Sequence, residues 1–395
     1  MAVIFLYFGL FLGVHFLSKQ FLDKPSGRAE RKRPGAARLF QLIACFILLF
    51  GFFGFRDITV LNDTPHYYGA YYKLSRIRSY MDSSIFTYNL MQSFEYGYQV
   101  MQHSLIKYIS QEPFTIIIVS SFIISWGNIS FISGQTKHIA LALTMLLMSG
   151  VLFDQYCLIR QSLALMIFYK AVEYLRQEKV KRYVILVLTA ALFHVSILVM
   201  LILPIMTRMK ISKRNVLIVL GIALVSALVV YQVFDILGLS NTKYFIMNIK
   251  RNSFPLAAMF DGLLMLLLIG CCMVLYRRMG MKTIDKTVFW MGVFGICVCI
   301  ITQSFLSFFR LNVYIWPFIY MTFLQFTDTT SNLTYTGAQH QCIALRQQML
   351  VTVLMILAVR MAIILSFRNE WYHLIPYSFY DFSDQFHNFN MYWEK

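Results

Sequence analysis

Apolar residues in this chain come in long blocks, at about 2–17, 39–55, 113–132, 138–153, 158–175, 183–206, 215–237, 257–276, 287–308, 311–327 and 347–366. A helix needs roughly 20 predominantly apolar residues to cross the hydrocarbon of a bilayer, and most of these blocks approach or reach that length. Composition points the same way. Hydrophobic residues make up 58% of the 395 and charged residues 13%, where a soluble domain carries about a quarter charged. The blocks predict an all-α polytopic membrane protein, one membrane domain over 1–395. No internal repeat and no long Gly/Ser or Pro linker marks off a soluble part.

The formal net charge of +17 would suit nucleic acid, but the Lys and Arg residues lie in short clusters between apolar blocks. That is the positive-inside pattern of a membrane chain, and nucleic acid is excluded as a partner. The seven cysteines fall mostly within apolar blocks (Cys45, Cys271, Cys272, Cys297, Cys299), with neither metal-ligand nor disulfide spacing, and read as buried thiols. Residues 3–17 look superficially like a signal peptide, yet no Lys or Arg precedes them, so an uncleaved first helix is expected.

Charge also predicts topology. Lys19, Lys24, Arg28, Arg31, Lys32, Arg33 and Arg38 mark the first loop as cytoplasmic, which puts 56–112 outside and the basic loop 176–182 inside. If 183–206 were one span, Arg208, Lys210, Lys213 and Arg214 would fall outside, and so would Arg277, Arg278, Lys282 and Lys286. Both conflicts vanish if 183–208 is a re-entrant hairpin of two half-helices turning near His194 and pointing at an outward-facing cavity. Each arm of about 12 residues reaches about 18 Å into a core ~30 Å thick. The expected count is about ten full spans plus this hairpin, with the aromatic tail 367–395 outside.

Polar residues gather on the predicted outer side. In "NDTPHYY", Asp63 or Thr64 suits a helix N-cap with Pro65 in the first turn; alternatively Asp63 is a carboxylate facing a substrate. "SFEYGYQVMQHSLIKYI" places Glu95 before a helix on which Tyr98, Met101, Leu105 and Tyr108 recur at helical spacing, as in an interfacial helix. Arg160 and Gln161 open the fifth block near its outer end, and Arg310 lies at another outer junction. Each arginine alone could snorkel to the interface. Arg56, Arg160 and Arg310 on one side could instead cradle phosphate, because guanidinium forks suit phosphate oxygens. His194 reads either as a satisfied core histidine or, at a hairpin tip, as a substrate contact.

In order, "FRDITVLNDTPHYYGAYYKL", "FEYGYQVMQHSLIKYI", "IRQSLALMIFYKAVEYL…KRYVILVLTAALFHVSIL" and "FRLNVYIWPF" resemble the EpsG-like family of exopolysaccharide and O-antigen polymerases, relatives of Wzy, over roughly residues 40 to 320. The family's short elements would be Arg56, Asp63 and Tyr67; Glu95, Gly97 and Tyr98; Arg160, Gln161 and Ala164; and Ala190 or Ala191, Phe193, His194 and Ser196. Where family members often carry a Gly-[ST]-Asp-Tyr run, this chain has Leu61-Asn62-Asp63-Thr64. The resemblance implies a membrane glycosyltransferase with GT-C-like architecture, in a bacterial cytoplasmic membrane. Such an enzyme joins undecaprenyl-diphosphate-linked oligosaccharide repeat units at the outer face by metal-independent, inverting transfer. It needs no cofactor, and its partners would be membrane lipids, a chain-length regulator and a repeat-unit flippase. Asp63, Glu95 and His194 are then the catalytic candidates, and Arg56, Tyr67, Arg160, Gln161 and Arg310 would bind substrate and diphosphate. A lipid-linked sugar transferase or ligase of the same fold, or a lipid-linked glycan flippase or transporter, are the alternatives.

Overall fold

The computed structural model describes residues 2–22, 35–78, 94–236, 255–278, 285–328, 337–369 and 372–382. Most of the first basic cluster, part of the 68–112 loop, nearly all of 238–256 and the end of the aromatic tail lie outside the described residues. The expected apolar blocks are helical. In chain order they give α1 (Ala2–Leu22), α2 (Ala36–Gly54), α3 (Thr64–Ser75), α4 (Tyr96–Tyr108), α5 (Thr115–Gln135), α6 (Ile139–Met148), α7 (Val151–Cys157) and α8 (Ile159–Arg176). They continue with α9 (Val180–Ala191), a 3-10 helix (Val195–Ile202), α10 (Leu203–Arg208), α11 (Lys213–Ile236), α12 (Leu256–Arg278), α13 (Lys286–Ser304), a second 3-10 helix (Leu306–Tyr314), α14 (Trp316–Asp328) and α15 (Gly337–Phe367). Among the described residues an isolated β-bridge pairs Arg56 with Phe379.

Six of these helices are long and apolar enough to cross a membrane: α2, α5, α11, α12, α13 and the Ala344–Phe367 part of α15. The number rises to seven if α6 and α7, bent by 76°, form one broken span. The expectation of ten is thus supported only at the coarser level of a multi-pass helical membrane protein. The shortfall has local causes. α8 carries Arg160, Lys170, Glu173 and Arg176. The 13 residues of α14 rise only about 20 Å, short of a core ~30 Å thick. Block 138–153 breaks at Ser149 and Gly150, where Gly150 takes φ +82°, a left-handed conformation that ends α6 and that L side chains rarely adopt.

Contacts divide the chain into two compact units. The first comprises Met1–Tyr169, Leu188–Val195 and Leu350–Lys395, the second Lys170–Val187 and Ser196–Met349. In the first unit α2 packs against α1 and α5, and α6 against α1 and α2. In the second, α11 and α12 pack on α13, which buries Trp290, Met291 and Cys297 among others. Asp285 caps α13, accepting from the backbone N–H of Thr287 at 2.9 Å and Val288 at 3.2 Å, and pairs with Arg176 at 2.8 Å.

The chain doubles back between α9 and the first 3-10 helix. The Tyr183 hydroxyl donates to the Met200 carbonyl at 2.6 Å, although these residues are 17 apart. Continuous helix would separate them by about 25 Å. The turn itself is Leu192 to His194, where the Ala190 carbonyl accepts from the N–H of both Phe193 (2.9 Å) and His194 (3.1 Å).

Candidate functional site

Four polar side chains of the first unit converge at helix ends. Glu95 occupies the N-cap position of α4 with extended backbone (φ −69°, ψ 151°), which turns its side chain away from the helix it precedes. No capping bond holds the carboxylate there. It reaches instead to other segments: Oε2 accepts from Arg160 Nη1, and Oε1 lies 2.6 Å from His194 Nδ1 and 3.2 Å from the Val195 backbone N–H. An ionised carboxylate only accepts, so His194 Nδ1 donates to Glu95. Nε2 meets no hydrogen-bond partner among the described residues.

Arg160 is held on three sides. Besides Glu95, it donates to the Tyr67 hydroxyl, and its guanidinium lies 4.5 Å from the centre of the Phe94 ring. Phe94, Tyr67 and Tyr98 form an aromatic wall with ring centres 5.2–6.0 Å apart. The ion-paired groups keep a solvent-facing edge: side-chain exposure is 19% for Arg160, 17% for Glu95 and 23% for His194. Burial alone would raise the Glu95 carboxyl. The bond from His194 and the charge of Arg160 outweigh it and hold the group down to about 2. Tyr67 moves the other way, burial pushing its phenol up to about 12, so it stays protonated at neutral pH.

The geometry depends on a close backbone approach. The Gly97 N–H donates to the Leu192 carbonyl at 2.7 Å, docking the start of α4 onto the turn that carries His194. A Cβ at position 97 would lie 2.8 Å from that carbonyl oxygen and 2.9 Å from the Leu192 Cβ. Glycine is therefore needed here for space.

Asp63 takes the N-cap position of α3, with Pro65 in the first turn, but its side chain makes no capping bond. Its carboxylate is half-buried, accepts no hydrogen bond among the described residues, and lies within electrostatic reach of Tyr67, one helical turn along. Two residues earlier Leu61 has φ 68°, a left-handed conformation that favours glycine.

The remaining candidates are placed differently. Arg56 is fully buried. Its Nε donates to Thr64 Oγ1 at 3.2 Å, Nη1 to Ser121 Oγ at 3.0 Å and to the Phe53 carbonyl, and Nη2 to the Tyr156 carbonyl at 3.0 Å. Its guanidinium is a bracket between segments. Gln161 is buried beside Arg160 at the start of α8. Arg310 is exposed in the 3-10 helix Leu306–Tyr314 of the second unit. Among the described residues no group of three His, Cys, Asp or Glu side chains could hold a metal ion. Reading the sequence did not single out Phe94, and nothing in a lone aromatic beside a glutamate announces a cation–π contact.

Fold and site together define a multi-pass helical membrane protein with a carboxylate–guanidinium–imidazole cluster open at one edge. The EpsG family model matches residues 39–379, most of the chain, and the protein belongs to the EpsG family. No curated protein and no solved structure matches it.

Proposed function

We propose that the protein is a polysaccharide polymerase that joins undecaprenyl-diphosphate-linked oligosaccharide repeat units at the outer face of the cytoplasmic membrane. Membership of the EpsG family and the multi-pass helical architecture support this reading. The observation that carries it is the division of labour between two carboxylates. Glu95 is tied to Arg160 and His194 and is held near 2, too weak a base to take a proton from a sugar hydroxyl near neutral pH. We assign that role to Asp63, whose carboxylate accepts no hydrogen bond among the described residues.

In the proposed reaction Asp63 accepts the proton of an acceptor hydroxyl as its oxygen attacks the anomeric carbon of the donor. The bond from that carbon to the diphosphate oxygen breaks, and undecaprenyl diphosphate leaves with the electron pair. Attack opposite the leaving group inverts the anomeric centre. Arg160 neutralises charge on the departing diphosphate, whose oxygens compete with Glu95 for the guanidinium. A fixed guanidinium can supply that stabilisation without a metal. Glu95 is a positioning residue that aims Arg160 and His194, and His194 Nε2 contacts sugar or phosphate. Arg56 is assigned to the scaffold. The exposed Arg310 is a candidate phosphate contact, to be judged by its own alanine variant.

The test is polymer length in a deletion strain complemented with Asp63→Ala or Arg160→Ala at matched protein level. Loss of polymer with accumulation of single lipid-linked repeat units supports the proposal. Normal long chains from both variants remove these roles. Accumulation of incomplete repeat units would identify a single-sugar transferase.

A further inference from the structure

Asp63 ends a segment that needs support from outside itself. Residues 55–63 join α2 to α3 without helix, and within them Leu61 is fully buried at φ 68°. A leucine stays in that left-handed region only where its surroundings hold it there. The support comes from the far end of the chain. The Tyr380 N–H donates to the Phe55 carbonyl at 2.9 Å, the Asp57 N–H to the Ser378 carbonyl at 2.9 Å, and the Leu61 N–H to the Tyr372 carbonyl at 3.0 Å. Aromatic rings fix the same strap. Tyr377 stacks on Phe52 with centres 4.5 Å apart, and Tyr380 on Phe114 at 3.8 Å. All of these residues belong to the first unit.

Tyr372 does more than close the strap. Its hydroxyl donates to Asp154 Oδ1 at 2.9 Å, and its ring lies 5.5 Å from that of Phe153, both on α7. At the end of α7 the Cys157 sulfur is within hydrogen-bonding reach of the Asp63 backbone N–H. The contacts close a ring. It runs from the Tyr372 carbonyl through Leu61 to Asp63, across to Cys157, along α7 to Asp154, and back to the Tyr372 hydroxyl. The Asp63 backbone is thereby held from both sides. Its carboxylate makes no capping bond, so the backbone beneath it decides where it sits.

We propose that Tyr372 is a positioning residue: it clamps the turn that carries Asp63 to α7 and so holds the Asp63 carboxylate in place for the transfer reaction. The clamp stands on the contacts above, whereas its consequence for turnover rests on the reading of Asp63 as the base. A base must lie within hydrogen-bond reach of the proton it takes, and a misplacement of about 1 Å can cost on the order of 100-fold in rate. In this role Tyr372 touches no substrate and acts through Leu61 and α7. Its loss should slow the chemical step and leave substrate binding alone. A residue that only held the fold together would instead reduce the amount of folded protein, and each folded molecule would turn over as before.

The experiment uses the full chain in lipid nanodiscs, with every cysteine except Cys157 replaced by alanine, and reads two quantities. The first is the rate at which a small methanethiosulfonate reagent modifies Cys157, which is 8% exposed and lies against the Asp63 backbone. Tyr372→Phe deletes only the hydroxyl and should speed modification about 10-fold, as the loss of a hydrogen bond to a carboxylate implies for local opening. Tyr372→Ala should speed it further; should that variant fold poorly, Tyr372→Phe carries the test alone. The second is turnover of lipid-linked repeat units per folded molecule, where Tyr372→Phe should lower kcat about 10-fold at unchanged KM. Modification of Cys157 at the parent rate in the variants would overturn the clamp. Faster modification with unchanged turnover, or a raised KM at unchanged kcat, would overturn the positioning role. The polymerase reading fails separately. A parent protein that makes no polymer refutes it, and full turnover by Asp63→Ala removes the base; in either case the labelling rate still decides whether Tyr372 holds the turn.

Discussion

Glu95 has three donors around one carboxylate, and its consequence for pH can be worked out. Its folded value, about 2, lies below its ordinary 4.5. It therefore contributes stability that is fully present above about pH 4.5 and is lost as pH falls toward 2. Glu95→Gln should melt at a lower temperature than wild type at pH 7, with the gap narrowing below pH 4.5; thermal melts across pH 7 to 3 check this. Arg160→Lys should lower polymerisation 10-fold or more at unchanged protein level, since an ammonium cannot span Glu95, Tyr67 and the Phe94 face as a planar fork does. The measurement is turnover of lipid-linked repeat units in membranes. At this scale the residue types were legible, because a carboxylate, guanidinium and imidazole are costly at a membrane and stand out from apolar sequence. Their pairing was not legible. Glu95 and His194 are 99 residues apart, and only the docking of Gly97 on Leu192 brings them to 2.6 Å.

That docking belongs to the scale of elements. At Gly97 the obstruction to a side chain is partly backbone, the Leu192 carbonyl, which cannot swing aside as a flexible side chain can. Gly97→Ala should push the start of α4 from the turn, costing roughly 1–3 kcal/mol and lengthening the Glu95–His194 contact. The expected readout is a lower melting temperature together with a loss of polymer larger than the loss of protein. Helix α4 also shows what apolar periodicity leaves out. Along the stripe of Tyr98, Met101, Leu105 and Tyr108, Tyr98 and Leu105 are buried and Tyr108 is 65% exposed, while Gln99, Gln102 and His103 are buried as well. Spacing selects apolar residues and is blind to a helix that buries amides. The break at Ser149-Gly150 was hidden likewise, since one glycine in an apolar run is an ordinary feature of a membrane helix.

Arg56 acts at a larger scale, within the first unit. Its four hydrogen bonds tie together the end of α2, the start of α3, α5 and α7, and its backbone pairs with Phe379. Arg56→Ala should destabilise by about 3 kcal/mol or more and reduce the amount of folded protein. A phosphate ligand would instead lose activity at normal protein level, so immunoblotting against polymer yield separates the roles. Topology offers a second test at this scale. The sequence argued for a chain that turns back near His194 only because two basic clusters otherwise fell on the wrong side. The Tyr183 hydroxyl and the Met200 carbonyl meet across that turn. If the turn leaves both ends in the cytoplasm, Gln177 and Lys210, both exposed, face the same compartment. Gln177→Cys and Lys210→Cys should then resist a membrane-impermeant maleimide in intact cells and react together once the cells are opened. Wild type is the control for the native cysteines. A segment that crossed would label at position 210 from outside and stay protected at 177, and that result would move every basic cluster after His194 to the opposite face.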